Sequence, residues 1–373
     1  MAQSGLRLDL RQAALRGGDY GPVIIPGKSA ESKLILRLAG SDAGLQMPPT
    51  GALSEEEIGI FRAWIDQGAE MPGRANESIR ERKPTDPKVQ AFLDLIHTQD
   101  TARFRNALKA NKALAKSADS FGSTALMHAS LAGTVDMMNA LLAAGADPNA
   151  KNTRNATALL WAVNNPAKLQ VLLSHGADVN AKSVEGRSAL YLAAMQPAGA
   201  PIVRILLDAG ADPNLPTIVG VTPLFPAMVA SLESAQLLLA KGANPNAKTA
   251  QGGTPLMSAA NSGNPKAVAL LLAKGVDVNA RTKRGETALA NAANEGSFES
   301  VNMLLEKGAD PNTVDYRGYT PLMHAAYNDA VSADLIRLLL AKGAKIDVTG
   351  EGETPYSLAA KRGETEVSRL LRR

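Results

Sequence analysis

The sequence predicts an all-α solenoid of helix-turn-helix units with β-hairpin tips, preceded by a small helical module of different texture. Two short motifs that recur in one register predict the solenoid. An apolar content poor in aromatics suits its narrow helix-on-helix core, and a change of composition after residue 73 sets the first module apart.

The chain has 373 residues, 45% of them hydrophobic, yet only 6 Phe, 6 Tyr and 2 Trp. Leu, Ala, Val and Met must therefore fill the core. The absence of cysteine excludes a disulfide framework, a thiolate nucleophile, a Cys-based zinc site and thioether-linked haem within this sequence. A formal charge of +4 is a small surplus for this size, so no nucleic-acid partner is expected. No run of about 18 apolar residues occurs, and the opening Met1 to Arg7 lacks the basic and apolar regions of a signal peptide. Neither membrane insertion nor an export signal is expected in the chain as given.

The first element, residues 1–73, is read as two helices and connecting loops. Ser29 to Leu38 places Leu34, Ile35 and Leu38 on one helical face. Ser54 and Glu57 form a capping box, and the acidic run Glu55-Glu56-Glu57 suits the positive end of a helix better than a catalytic site. Ile58, Phe61, Trp64 and Ile65 then make an apolar stripe that Gly68 ends. Residues 74–87, polar and charged with Pro84 and Pro87, read as a linker. Residues 88–122 read as a degenerate capping repeat whose helices rest on Phe92, Leu93, Leu95 and Ile96, then Phe104, Leu108 and Leu114.

Residues 123–373 carry the repeat, in eight units. GADPN or a close variant starts at Gly145, Gly176, Gly210, Gly242, Gly275, Gly308 and Gly343. A second anchor, Thr or Ser followed by Ala or Pro, starts at Thr124, Thr157, Ser188, Thr222, Thr254, Thr287, Thr320 and Thr354, recurring every 31 to 34 residues. In the unit at Thr254, that residue caps the first helix, Pro255 suits its first turn, and Gly263-Asn264-Pro265 breaks it before a second. Gly275 ends the second helix in a left-handed cap. The unit at Thr157 is two residues short before Gly176, which should shorten the loop at Asn164-Asn165-Pro166. Asn155 replaces the tip Gly of one unit and can enter the left-handed region in its place. Ser368, Arg369, Arg372 and Arg373 read as a solvent-facing end.

On these motifs the chain from about residue 88 to 373 resembles the ankyrin-repeat family, whose pattern is T-P-L-H-x-A-A, G-H, a Leu-Leu pair and G-A-D-V-N. The histidine of that pattern is absent from its slot, held here by Met127, Leu160, Tyr191, Phe225, Met257, Ala290, Met323 and Ser357, so its usual hydrogen bond should be missing. The resemblance implies a non-catalytic scaffold that binds a protein partner through hairpin tips and exposed inner-helix positions. Carried onto this sequence, the binding residues are Lys151, Arg154, Arg187, Ile218, Val219, Val221, Phe225, Lys283, Arg284, Tyr316, Arg317, Tyr319 and Tyr327. Their apolar centre and basic flanks imply an acidic or mixed apolar and acidic partner, held by a monomer.

Residues 5–73 resemble the C-terminal part of the planctomycete-type cytochrome c domain. G-L-R-L-D, G-G-D-x-G-P, P-G-x-x-x-x-S, M-P-P and W-I-x-x-G-A occur in that order at Gly5, Gly17, Pro26, Met47 and Trp64. In that family a C-x-x-C-H motif just upstream attaches haem, and the Met of M-P-P is the second axial ligand. Only Met47 carries over: four residues precede Gly5 and the nearest histidine is His97. Truncation, a misplaced start and genuine loss all account for that. Haem c is expected only in a form carrying an upstream C-x-x-C-H; such a form would be an exported electron-transfer protein whose repeats dock a redox partner. The same resemblance implies the periplasm or cell envelope.

No enzyme is expected. No nucleophile is paired with a His and a carboxylate, and no phosphate-binding Gly loop occurs. His128 and His324 share one slot in distant units, and the four histidines are not expected to bind a metal.

Overall fold

The computed structural model describes Ser32, Ile58, Arg62, Ala63, Ile65, Asp66, residues 85–328 and residues 330–372. The chain divides into two compact units, Met1–Glu81 and Arg82–Arg373. In the first, Ile58 and Ile65 are buried and helical, while Arg62, Ala63 and Asp66 are helical and exposed. Those two isoleucines, seven positions apart, lie on one helical face, as the stripe requires. Phe61, Trp64, Met47, the capping box at Ser54 and the helix expected over Ser29 to Leu38 lie outside the described residues, apart from Ser32, which is buried.

The second unit is a stack of helix pairs, with no strand among the described residues. The capping pair is α1 (Pro87–His97) and α2 (Thr101–Ala110), followed by a 3-10 turn, Lys112–Lys116. Asp86 caps α1 and Pro87 occupies its first position, so the end of the expected linker is already helix. A proline loses nothing there, because the first amides of a helix have no internal acceptor. Phe92 and Phe104 stack at 5.1 Å between ring centroids and tie the pair together.

Eight further pairs follow. Their inner and outer helices are α3 (Ala125–Leu131) and α4 (Val135–Ala143), α5 (Ala158–Trp161) and α6 (Pro166–Ser174), α7 (Ala189–Ala194) and α8 (Ala200–Asp208), α9 (Leu224–Ala230) and α10 (Leu232–Ala240). The series continues with α11 (Pro255–Asn261) and α12 (Pro265–Leu272), α13 (Ala288–Asn294) and α14 (Phe298–Glu306), α15 (Pro321–Tyr327) and α16 (Ala333–Ala341), α17 (Pro355–Ala360) and α18 (Glu366–Leu371). Each inner helix sends one leucine into the stack, from Leu126 through Leu256 and Leu322 to Leu358, all buried. Fully buried alanines such as Ala129, Ala259 and Ala325 allow the inner helices to approach closely. No unit could cover these faces alone, so each repeat is stable only against its neighbours.

The shortened unit differs from expectation. The loss falls on the helix and not on the loop: α5 has 4 residues where α11 has 7. The loop keeps its length because Asn165 must still cap α6, with Oδ1 accepting from the Lys168 amide at 3.1 Å. Asn155 has φ 54°, the left-handed conformation anticipated for it. At the matching tip Gly186, φ is 75° and an added Cβ would lie 2.7 Å from the Ile218 amide nitrogen, so glycine is required by conformation and by space. At the C-terminal end Ser368 is buried, not solvent-facing: its hydroxyl is spent on a capping box with Thr365. Arg369 and Arg372 are exposed, and Arg373 lies outside the described residues.

The GADPN motif acts between units. In five of these motifs the closing Asn reaches the next repeat twice, and Asn246 reaches it once, through its Oδ1. Asn279 Nδ2 donates to Gly308 O at 2.9 Å, and its Oδ1 accepts from the Asp310 amide at 2.9 Å. Asn149, Asn180, Asn214 and Asn312 repeat the pattern.

Candidate partner-binding surface

The tips are narrower than the expected β-hairpins. From Asp119 to Tyr319 each finger is closed by a backbone hydrogen bond across five residues and a second from its fourth residue to its first, as in Ser183 N to Arg187 O and Gly186 N to Ser183 O; the last closes across four, between Gly350 and Glu353. Isolated bridges pair Ala118 with Thr124, Lys182 with Ser188 and Gly350 with Glu353. Between fingers runs a second ladder, in which the second residue of one finger donates its amide to the third residue of the finger before. It extends from Thr153 N to Phe121 O at 2.9 Å to Tyr316 N to Arg284 O at 2.7 Å. That ladder satisfies the tip backbone and fixes the side chains of successive fingers in one row.

The row presents most of the expected binding residues. Ile218 is 72% exposed, Val219 53% and Tyr316 64%. Lys151, Arg154, Arg187, Lys283 and Arg284 are exposed, and Val221 and Arg317 are half-buried. Arg284 lies 5.2 Å over the Tyr316 ring, holding cation and aromatic together at the tip. Arg317 is already engaged, 4.0 Å over the Tyr319 ring and 3.0 Å from Glu351 through Nε. The hydrogen bond to Glu351 is the main cause holding its guanidinium above the ordinary arginine value. Glu185 sits between Arg154 and Arg187. Its carboxyl is held below the usual range, first by the Ser183 hydroxyl and a backbone hydrogen bond and then by these arginines.

Two expected contact residues are corrected by their burial. Phe225 is 6% exposed and Tyr319 4%. Phe225 occupies the slot three residues after the anchor, which turns into the stack. Tyr319 is the fifth finger residue, closing its finger and meeting the His324 ring at 5.8 Å. Phe225 instead forms part of the floor of a groove of about 470 Å³ between fingers and inner helices, lined also by Tyr191, Val229, Met257 and Asn291.

Val229 in that groove belongs to a repeat position from which the sequence named only Tyr327. The position seven after each anchor holds Leu131, Asn164, Met195, Val229, Asn261, Asn294, Tyr327 and Lys361. Leu131 is 62% exposed, Met195 46%, Val229 61% and Tyr327 59%. An apolar side chain facing water at a fixed repeat position is the signal that could have found them. Toward the C-terminal end the groove turns polar, where Glu286, Asp315, Arg317, His324 and Tyr327 line a smaller cavity of about 190 Å³.

The missing histidine bond is replaced in two units. His128 and His324 sit one position past the empty slot and meet the first finger residue: Nε2 of His128 is 3.2 Å from Asp119 Oδ2, and Nε2 of His324 is 3.0 Å from Asp315 Oδ2. Burial is the largest influence on both rings and holds them below the ordinary imidazole value, against the opposing pull of the aspartates.

Stacked helix pairs joined by laddered fingers define a helical-repeat solenoid whose exposed chemistry is a surface. Among known families, the model described as ankyrin repeats (3 copies) matches residues 126–217 and 224–315, and that described as ankyrin repeats (many copies) matches residues 304–359. The chain belongs to the ankyrin-repeat family. The model described as Planctomycete cytochrome C matches residues 1–51. That range includes Met47 and stops short of Trp64. Among curated proteins no match is found. Ankyrin repeats are protein-interaction modules in general. Among the described residues, no helix is long and apolar enough to cross a membrane.

Proposed function

We propose that this chain is a non-catalytic, monomeric scaffold that holds a protein partner along the row of fingers and the adjoining inner-helix groove. The observation that carries the proposal is the alignment of exposed Ile218, Val219, Val229 and Tyr316 with Lys283, Arg284, Arg154 and Arg187 on one continuous surface. Large aromatic and arginine side chains are the residue types that dominate binding energies, and basic tips favour a partner with acidic and apolar side chains. The test is affinity capture with the wild-type chain and with Ile218→Asp/Tyr316→Ala. The proposal expects a partner retained by the first and released by the second.

The match of residues 1–51 favours a second reading, in which a form of the protein bearing C-x-x-C-H works as an exported haem protein in the cell envelope. Covalent attachment needs two cysteines and the present sequence has none, so its own residues do not fit haem c; Met47 alone does not supply a site. Soret absorption of the natively purified protein tests this reading.

A further inference from the structure

Two imidazoles join the capping pair to the first repeat. His97, the last residue of α1, brings Nε2 to 3.0 Å from Nδ1 of His128 on α3. On the far side of His128, Nε2 faces Asp119, whose other oxygen accepts from the amides of Phe121 and Ser123, each at 2.8 Å. An ionised carboxylate only accepts, so His128 donates from Nε2 and its Nδ1 accepts from His97 Nε2. His97 is exposed, giving a solute access to the pair.

An unprotonated ring nitrogen, whose opposite N–H is held by a carboxylate, is the arrangement found behind histidine metal ligands. The spacing also fits. Metal–nitrogen bonds of about 2.0–2.1 Å place two nitrogens roughly 3.3 Å apart on a tetrahedral ion and about 2.9 Å apart on a square-planar one. The observed 3.0 Å lies between these values. The unit at Thr320 supplies an internal contrast: Asp315 orients His324 in the same way, yet the preceding inner helix α13 has no histidine.

We propose that His97 Nε2 and His128 Nδ1 form a two-nitrogen site for a divalent transition-metal ion, oriented by Asp119 and completed by water. On binding, the hydrogen bond between the two rings breaks, the His97 ring proton moves from Nε2 to Nδ1 and His128 keeps its own on Nε2, so the tautomer shift releases no net proton. The ion bridges α1 and α3 and thereby pins the cap to the array. Among the described residues no third His, Asp or Glu completes the set, so affinity should fall below that of a four-ligand structural site.

The experiment is calorimetric titration of the full chain with Zn2+ at neutral pH, paired with thermal unfolding. One ion per chain is expected in the wild type and in His324→Gln. Binding is expected to vanish in His97→Gln, an exposed substitution that leaves the fold intact by circular dichroism, and to weaken 10–100-fold in Asp119→Asn. Zn2+ should raise the melting temperature of the wild type and not that of His97→Gln. Absence of saturable binding by the wild type, or binding that persists in both His97→Gln and His128→Gln, would overturn the proposal and leave a hydrogen-bonded imidazole pair.

Discussion

Threonine at the head of an inner helix does two different jobs in this array. Thr254 and Thr320 cap, each with Oγ1 accepting from an amide at 3.3 Å. Thr157 and Thr222 do not: both are buried and both hydroxyls lack a partner. One heads the four-residue α5; the other is followed by a helix that begins one residue late, with Pro223 at the cap position. Thr254→Ala or Thr320→Ala should therefore cost about 1 kcal/mol in urea unfolding. Thr222→Val, which keeps the shape and removes an unpaired hydroxyl, should be neutral or stabilising. Equal losses at all these positions would contradict the distinction. His324 gives a second prediction at this scale. Burial, aided by Arg317, outweighs Asp315 and Glu286 and lowers its folded value from about 6.5, so the unfolded chain takes up the proton first. Stability should then fall as pH drops below that value toward the folded one. The pH dependence of the urea midpoint should flatten in His324→Gln, and an unchanged profile would refute the assignment. The anchors predicted the Thr caps, because cap chemistry is local. The His97–His128 contact was not legible, because the capping pair lacks the anchors that would have aligned His97 with the repeat.

At the scale of elements, the Asn staples show why GADPN recurs. Its Gly and Asp serve the turn, while its Asn serves the next repeat. Asn279→Ala removes a donor from Gly308 and an acceptor from Asp310, an expected loss of about 1–2 kcal/mol. Asn246→Ala should cost less, since Asn246 accepts from Asp277 at a longer 3.2 Å. Chemical denaturation of the two variants checks the ranking, and a larger loss at Asn246 would contradict it. Helix pairs, turns and the left-handed Asn155 could all be read from the sequence, since periodicity and Gly spacing report local geometry. The fate of the two missing residues near Thr157 could not be read. It depended on Asn165 keeping its cap on α6, and a count of residues does not say whether helix or loop gives way.

At the scale of the whole molecule, exposure along a repeat array is a column property. The finger row was legible because tips lie between two anchors, which identified Ile218, Val219 and Tyr316. Phe225 and Tyr319 were misplaced because their columns turn inward: the Phe225 column also holds Met127, Leu160 and Met323, all buried. Leu131, Met195 and Val229 went unseen because their column sits at an inner-helix end, where an apolar residue reads as core until its neighbours are placed. Together the two exposed columns make the surface on which we propose that a protein partner lies. The most direct test is the dissociation constant of the captured partner for Ile218→Asp/Val229→Asp, set against Arg204→Ala on the outer helix α8. At least about a 30-fold loss is expected for the first, the scale of a hot-spot residue, and less than about twofold for the second. Full affinity in the double variant, or a comparable loss from the outer helix, would contradict it.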